Sequence, residues 1–283
     1  MSSQLENCDT HERTWIQIFV LIKAKKYSNS LLRKSHLNHY PWYDVLSEYH
    51  RNHLSKSSER CAIVFDIDGT LIDPRVMQLV VLKAYDRVNE TSWFNDKELN
   101  DLTIYEIYIR QQLMEWTIPV AEIDHICEFY QENHWSEQIV IDTAALYPEL
   151  SGLMQQLFES SRTDVFFCTG RPEFMRKLTI ENLHKILPSY CDQITNYNLY
   201  MNSRDWEYVV QEKRRSMEHL ISVHNVIAFV DNEPSNLNGL TFLPMSCLLV
   251  HADTTYKANQ VMPDRCLQIS NYINYPPFVD APR

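Results

Sequence analysis

Short, continuous apolar runs separated by helical patterns dominate the hydrophobic pattern of this chain. The runs are CAIVF (61–65), DVFFC (164–168), VIAFV (226–230) and SCLLV (246–250). Strands that are apolar without alternation are typical of parallel sheets covered by helices on both faces. Residues 148–161, 172–187 and 205–222 have helical spacing, with Pro172 expected at a first helical position. This alternation predicts an α/β fold with a parallel sheet.

The alternation is interrupted after the first run. Residues 74–90, 102–116 and 120–135 have the apolar spacing of helices, and the alternation resumes near residue 146. Helices inserted between the first two core strands predict a cap. The predicted organisation is a helical N-terminal extension (1–58), an α/β core (59–74 and 144–283) and a helical cap (75–143).

The aromatic residues of the predicted cap are expected mainly in its own core, although one or two could face a site. They are Tyr85, Trp93, Tyr105, Tyr108, Trp116, Tyr130 and Trp135.

Composition narrows the classes of function. The formal net charge of −11 argues against a general nucleic-acid interface. The seven cysteines are odd in number and lack C-x-x-C spacing, which favours reduced cysteines in the core and a cytoplasmic location. A host cytosol is the alternative for a protein exported without a cleavable signal. The apolar run WIQIFVLI (15–22) is too short to span a bilayer, so no transmembrane segment is expected. The sequence does not predict an oligomeric state.

Glycine is scarce. The chain has four glycines, Gly69, Gly152, Gly170 and Gly239, whereas average usage of about 7% predicts roughly twenty. Each is therefore expected where the backbone needs a positive φ or a close approach.

Polar residues follow the first three apolar runs. Asp66, Asp68 and Gly69 follow the first, Thr169, Gly170 and Arg171 the second, and Asp231 and Asn232 the third. Ligands of open α/β sheets bind beyond the carboxyl ends of the strands. These residues are therefore expected to share one site.

The acidic residues at these strand ends would repel one another without a cation. The oxygen set of Asp66, the Asp68 carbonyl, and Asp231 or Asn232 favours Mg²⁺. The Thr169 hydroxyl, the Gly170 N–H and Lys213 are suited to hold phosphate oxygens. Together they predict a phosphate site beside a carboxylate nucleophile.

The motifs DIDGTLID (66–73), CTGRP (168–172), Lys213 and VDNEPSN (230–236) resemble the four ordered motifs of the haloacid dehalogenase (HAD) superfamily. The resemblance covers roughly residues 61–255. It implies a Rossmann-like HAD core with an α-helical cap inserted after the first strand. Asp68 is the second aspartate that phosphatases of the superfamily have and dehalogenases lack, so phosphate-ester chemistry is implied.

The resemblance also assigns roles. Asp66 is the expected nucleophile, Asp68 the acid and base, and Thr169 a phosphoryl-binding catalytic residue. Lys213 is expected to balance charge, although Arg214 and Arg215 beside it make a solvated basic face the alternative. The expected substrate-binding residues are Gly69, Gly170 and Arg171, and the expected metal ligands are Asp66, Asp68, Asp231 and Asn232.

The fourth motif departs from the commoner pair of spaced aspartates. Its DN pair, Asp231 and Asn232, resembles the form found in phosphoprotein phosphatases of the superfamily, so the direct metal ligand of the two stays open. The implied function is a Mg²⁺-dependent phosphatase of phosphomonoesters acting through an aspartyl-phosphate. A regulatory phosphoprotein phosphatase and an inactive binding protein of the same fold are the alternatives.

Two neighbouring residues are expected to have structural roles. Cys168 lacks the C-x₅-R spacing of cysteine-based phosphatases, since Arg171 follows too soon, so a core cysteine is expected. His251 ends the last apolar run, and a capped or solvated histidine is expected there.

Overall fold

The structure is a computed structural model that describes residues 42–103, 108–244, 247–254, 261, 263 and 266–270. The run WIQIFVLI (15–22), Cys8, Tyr105 and the larger part of the predicted N-terminal extension lie outside the described residues. Within the described part of the chain, no helix is long and apolar enough to cross a membrane.

The centre of the protein is a six-stranded sheet. Its strands are β1 (Cys61–Phe65), β2 (Thr163–Pro172), β3 (Leu199–Asn202), β4 (Val226–Asp231), β5 (Leu248–Asp253) and β6 (Cys266–Ser270). The spatial order is β3-β2-β1-β4-β5-β6, and every neighbouring pair is parallel. The predicted α/β fold with a parallel sheet is confirmed. Because β1 lies between β2 and β4, the ends of the three motif-bearing strands meet at one edge.

Nine α-helices connect these strands in the described residues. They are α1 (Trp42–Lys56), α2 (Pro74–Asn89), α3 (Ile109–Glu115), α4 (Val120–Asn133), α5 (Glu137–Thr143), α6 (Ser151–Phe158), α7 (Arg176–Ile186), α8 (Val209–Val223) and α9 (Pro234–Gly239). Successive residues of a strand point to opposite faces of the sheet. Accordingly Phe65 and Phe167 join the apolar cluster on one face, and Val64 and Phe166 join the cluster on the other.

Helices α2 to α5 lie between β1 and β2, where the sequence predicts the cap. Helix α2 begins after Asp73, whose side chain accepts a hydrogen bond from the Arg75 N–H at 3.0 Å, and Pro74 occupies the first turn. A third cluster, which includes Tyr85, Phe94 and Ile126, fills the space among these helices. The limits drawn between extension, core and cap stay a prediction.

Helix α1 packs against the core. Leu46 is fully buried in the cluster on one sheet face. His50 Nε2 lies 2.6 Å from Thr163 Oγ1 at the start of β2, and the Ser47 hydroxyl donates to Gln156 of α6 at 2.5 Å. Buried polar contacts of this kind fix the orientation of a helix as well as its position.

Three expectations from the sequence are wrong. Pro172 does not begin a helix: its ψ of 157° is extended, it ends β2, and α7 starts at Arg176 after a short 3₁₀ turn. Proline's fixed φ suits extended backbone as well as a first helical turn. Helix α8 starts at Val209, not near residue 205, because Asp205 and Tyr208 have left-handed φ values of 51° and 56°.

The third error concerns one of the glycines. Gly69 does need its freedom, with a φ of 75°, and a Cβ on Gly170 would lie 3.0 Å from Val209 Cγ1. Gly152, however, lies in α6 with nothing within 4 Å of a built Cβ. It meets neither condition, and nothing in the structure explains it.

Candidate active site

Three charged side chains form a buried cluster at the carboxyl edge of the sheet, here called the lysine cluster (Asp66, Lys213 and Asp231). Asp66 follows β1, Asp231 ends β4, and Lys213 projects from α8 between them. Lys213 Nζ lies 2.6 Å from Asp66 Oδ1 and 2.6 Å from Asp231 Oδ2. All three residues are at most 4% exposed. One ammonium group therefore holds two carboxylates that would otherwise repel each other.

The same contacts shift the pKa values of the cluster. Burial raises the pKa of Asp66 to about 7, with Asp231 adding to the rise and Lys213 opposing it. Burial lowers the pKa of Lys213, but the carboxylates of Asp231 and Asp66 outweigh burial and raise it above its usual value. Lys213 is therefore a fixed positive charge at neutral pH.

Only one of the three consecutive basic residues on α8 reaches this site. The Lys213 side chain is 3% exposed, whereas Arg214 is 52% and Arg215 66% exposed. Arg214 pairs with Glu218 and Arg215 with Glu212 on the same helix. The solvated basic face is thus made by the two arginines.

Asp68 is held by an arginine. Arg171 Nε donates to Asp68 Oδ2 and the terminal nitrogen Nη2 to Asp68 Oδ1, both at 2.7 Å. The other terminal nitrogen donates to Asn182 Oδ1 at 2.8 Å, and the guanidinium lies 5.4 Å from the ring centre of Trp135. Arg171 was expected to bind substrate. In this structure two nitrogens of its guanidinium group donate to Asp68 instead. Its substrate role stays a prediction.

Thr70 connects Asp66 with the fourth motif. Its hydroxyl oxygen lies 3.3 Å from Asp66 Oδ2 and 3.5 Å from Asn232 Oδ1, and it accepts from the Asn232 N–H at 3.0 Å. Thr70 therefore holds a carboxylate oxygen and an amide oxygen side by side, and oxygens of these two kinds are ligands that Mg²⁺ prefers.

Asp231 is less suited to bind a cation. Its Oδ2 accepts from Lys213, its Oδ1 accepts from the Glu233 N–H at 2.8 Å, and Asn236 Nδ2 lies 3.1 Å from both oxygens. Among the described residues there is no group of three or more His, Cys, Asp or Glu side chains placed to hold a metal. A cation here would depend on amide, carbonyl, water and phosphate oxygens besides a carboxylate, as Mg²⁺ often does.

The residues at the carboxyl ends of β1, β2 and β4 open onto a common cleft of about 730 Å³, within the size range of ligand pockets. Asp66, Asp68, Thr169, Gly170 and Lys213 all line it, as do Arg171 and Asn232. The Thr169 hydroxyl accepts from the Arg171 N–H at 3.1 Å, which turns the chain at the end of the motif. The sequence-predicted residues therefore meet in one place, except that Gly69 and Asp231 do not line the cleft; Asp231 lies behind it, against Lys213.

Cys168 and His251 are structural in this geometry. Cys168 is 1% exposed, and burial raises the pKa of its thiol to about 12, so it stays a neutral core side chain. His251 is 3% exposed, and its Nε2 lies 3.0 Å from the carbonyl oxygen of Asn232. It is a buried, hydrogen-bonded histidine, and it supports the backbone of the fourth motif.

Sequence analysis missed several residues at the site. Trp206 and Tyr208 line the cleft from the loop before α8, and His134 lines it from the end of α4. The spacing of aromatic residues in the cap identified Tyr130 and Trp135 only as members of a larger group. The available signal for Trp206 and Tyr208 was a non-helical stretch with two aromatic residues shortly before Lys213.

Comparisons with known proteins return likenesses among solved structures alone. No family model matches the chain, and no curated protein matches it. A haloacid dehalogenase-like hydrolase of Streptococcus pneumoniae is 11% identical, with a TM-score of 0.44 over 69% of this chain and 84% of that one. A HAD-superfamily hydrolase of Geobacter sulfurreducens is 13% identical, with a TM-score of 0.47 over 69% and 89%.

A third solved structure is protein tyrosine kinase A of Mycobacterium tuberculosis. It is 12% identical, with a TM-score of 0.48 over 76% of this chain and 94% of that one. None of these three scores reaches 0.5. The function of this chain is therefore inferred from the residues of its own cleft.

Proposed function

We propose that this protein is a Mg²⁺-dependent phosphatase that hydrolyses phosphomonoesters through an aspartyl-phosphate on Asp66. The observation that carries the proposal is the lysine cluster at the sheet edge, beside a cleft lined by Thr169 and Gly170. A buried carboxylate held by a fixed ammonium, next to oxyanion donors, is suited to nucleophilic attack on phosphorus.

Each residue has a separate task in this reaction. Asp66 attacks phosphorus and displaces the ester oxygen, and water then hydrolyses the aspartyl-phosphate. The Thr169 hydroxyl and Gly170 N–H bind phosphoryl oxygens, while Lys213 balances the negative charge of nucleophile and phosphate. Asp68 is the acid for the leaving oxygen and the base for the water, which one group can do in opposite directions.

Mg²⁺ would be held by Asp66, the Asp68 carbonyl and Asn232. When bound, it supplies positive charge that draws the phosphoryl oxygens and the nucleophile together. Between the two candidates of the fourth motif, the contacts support Asn232, because both oxygens of Asp231 already accept from Lys213 or N–H donors. Asp231 then acts by positioning Lys213.

The proposal is tested with Asp66→Asn against a panel of phosphate esters and phosphopeptides. The amide is nearly isosteric but is a poor nucleophile, so turnover is expected to fall at least about 10³-fold. Asp192→Asn is the matched control, because Asp192 is exposed and remote from the cleft lining. Normal turnover by Asp66→Asn would contradict the assigned nucleophile.

The metal is tested separately by chelation. EDTA is expected to abolish turnover, and added Mg²⁺ is expected to restore it, because the phosphoryl charge is otherwise uncompensated. Full activity in EDTA would reject the cation while leaving Asp66 to be judged by its own variant. Wild-type protein that turns over no member of the panel would instead support the inactive binding protein.

A further inference from the structure

Aromatic side chains from two distant parts of the sequence line the cleft opposite the lysine cluster. We call them the aromatic wall: Tyr130 of α4, His134 and Trp135 directly after α4, and Trp206 and Tyr208 from the loop before α8. The rings of Tyr130 and His134 stack with centroids 4.8 Å apart. The rings of Trp135 and Trp206 lie 4.9 Å apart, so the pair joins the cap side of the cleft to the core side.

Two rings of the wall remain open to solvent. Trp206 is 45% exposed and Tyr208 54% exposed, and neither belongs to any of the three apolar clusters. Large rings that line a cleft without serving a core mark a surface that contacts a ligand. Burial in an apolar core therefore does not account for them.

The loop that carries Trp206 is held in a defined conformation by hydrogen bonds. Asp205 and Tyr208 have left-handed backbone, which is uncommon for residues other than glycine. Asn202, 1% exposed, braces the loop: its amide donates to the Glu207 carbonyl at 2.9 Å, and its Oδ1 accepts from the Arg204 N–H at 2.8 Å. The chain thus maintains a strained loop that presents a tryptophan to the cleft.

The contacts of Asp68 provide a second, independent observation. Both of its oxygens accept from Arg171, so Asp68 must leave this pairing before it gives a proton to a leaving oxygen. A phenol has a pKa of about 10, far below the roughly 15.7 of water, so an aryl oxide departs with little protonation. This geometry suits a leaving group of the phenol type better than an alkoxide.

We propose that the site selects aryl phosphate monoesters, in which the phosphate is bonded directly to a planar ring, and that Trp206 and Trp135 contact that ring. This rests on the phosphatase function proposed above. Asp66 attacks phosphorus, the bond from phosphorus to the aryl oxygen breaks, and the oxygen leaves with the electron pair, needing its proton from Asp68 only late in the step. Water then cleaves the aspartyl-phosphate, which releases phosphate and restores the carboxylate.

The test measures kcat/KM with Mg²⁺ for four chemical types. Phenyl phosphate and a phosphotyrosine peptide carry the ring on the leaving oxygen, and they distinguish a small molecule from a protein source. Phenethyl phosphate keeps the ring with an alkoxide leaving group, acetyl phosphate keeps a good leaving group without a ring, and a phosphoserine peptide has neither. The aryl esters are expected to exceed the phosphoserine peptide at least 10-fold, with the other two between them.

The wall is tested with Trp206→Ala. Loss of one aromatic contact is expected to lower kcat/KM for aryl esters about 5-fold to 10-fold and for acetyl phosphate less than about 2-fold. Trp206→Phe keeps a ring and is expected to recover most of the loss. Trp93→Ala is the matched control, since Trp93 is 36% exposed on the cap and does not line the cleft.

Several outcomes would overturn the proposal. Equal kcat/KM for phenyl phosphate and the phosphoserine peptide would reject the selectivity, and an equal effect of Trp206→Ala on every substrate would reject the contact. Failure of the proposed function is recognised differently, as absence of turnover for the whole panel. In that case calorimetry of phenyl phosphate binding to Asp66→Asn, with and without Trp206→Ala, decides whether the wall binds a ring.

Discussion

The two ends of the cleft are formed by different kinds of side chain. The lysine cluster is made of charges that are almost fully buried and joined by contacts of 2.6 Å, all from the core. The aromatic wall is made of rings at 4.8–4.9 Å, partly exposed, and contributed by both the cap and a core loop. Buried charges tolerate almost no displacement, because each needs its partner, whereas rings can slide and still keep contact.

Because of this difference, the two ends are suited to bind different parts of a substrate. Under the proposed function, the charged end binds the phosphate, whose size and charge do not change between substrates. The aromatic end is suited to the variable part of the substrate. Arg171 stands between them, since one face of it pairs with Asp68 and another packs over Trp135.

The largest effect is expected at the charged end. Lys213→Met keeps the volume of the side chain but leaves Asp66 and Asp231 buried without their cation. We expect the free energy of unfolding to fall by about 3–5 kcal/mol and turnover to fall at least about 100-fold. Urea denaturation and a phosphate-release assay measure the two losses.

The neighbouring arginine provides the control for that variant. Arg214→Met removes a half-exposed partner of Glu218 on the same helix, so a change below about 1 kcal/mol is expected. If Lys213→Met were as stable as Arg214→Met, the strict requirement for charge pairing at this end would be wrong.

An intermediate effect is expected where the two ends meet. Arg171→Lys keeps the charge but loses the planar fork that contacts Asp68 and Asn182 together. We expect a loss of about 1–3 kcal/mol in unfolding free energy, because Asp68 is no longer held at both oxygens. Arg176→Lys, whose partner Glu173 is more than half exposed, is the control and should lose less than about 1 kcal/mol. Equal losses of unfolding free energy in the two variants would show that the contacts of Arg171 contribute no more than a surface ion pair.

The smallest effect is expected in the aromatic wall and depends on pH. Burial lowers the pKa of His134 to about 4, against 6.5 for the unfolded chain, while Asp68 opposes the shift. Between these values the unfolded state binds the proton and the folded state does not, so stability is lost as pH falls from about 6.5 toward 4. His134→Phe removes this dependence and keeps a ring against Tyr130.

The measurement is the free energy of unfolding at pH 7 and at pH 4.5 for wild type and His134→Phe. Other buried histidines, His50 and His251, also have lowered pKa values, so the difference between the two proteins is the informative quantity. Wild type should lose about 1–2 kcal/mol more than the variant. Identical losses would show that His134 is protonated without cost and that the wall is open to water.

The sequence predicted the parts of the site that are local. Three of the four motifs follow an apolar run, so strand ends could be recognised without knowing the sheet order. Strands β3 and β6 were missed: LYMN at β3 is followed by a polar loop, and CLQIS at β6 is interrupted by a glutamine. Neither has the long apolar run of a central strand, because a strand at the edge of a sheet is packed on fewer sides.

The choice between Asp231 and Asn232 could not be made from the sequence, since neighbouring residues of a strand end point in different directions. The structure directs Asp231 at Lys213 and brings Asn232 beside Thr70, a residue 162 positions away. Likewise, the pairing of Arg171 with Asp68 joins residues separated by 103 positions. Such partners are selected by distance in space, which spacing along the chain does not encode.

By itself, the sequence determined the α/β class, the parallel sheet, the inserted helices and the set of charged residues at the strand ends. These follow from hydrophobic runs and from motifs within a few residues. Tertiary structure alone decided that Arg171 holds Asp68 and that Trp135 of the cap meets Trp206 of the core. Those contacts depend on the rotation of helices and the path of loops, which are set when separate elements pack against one another.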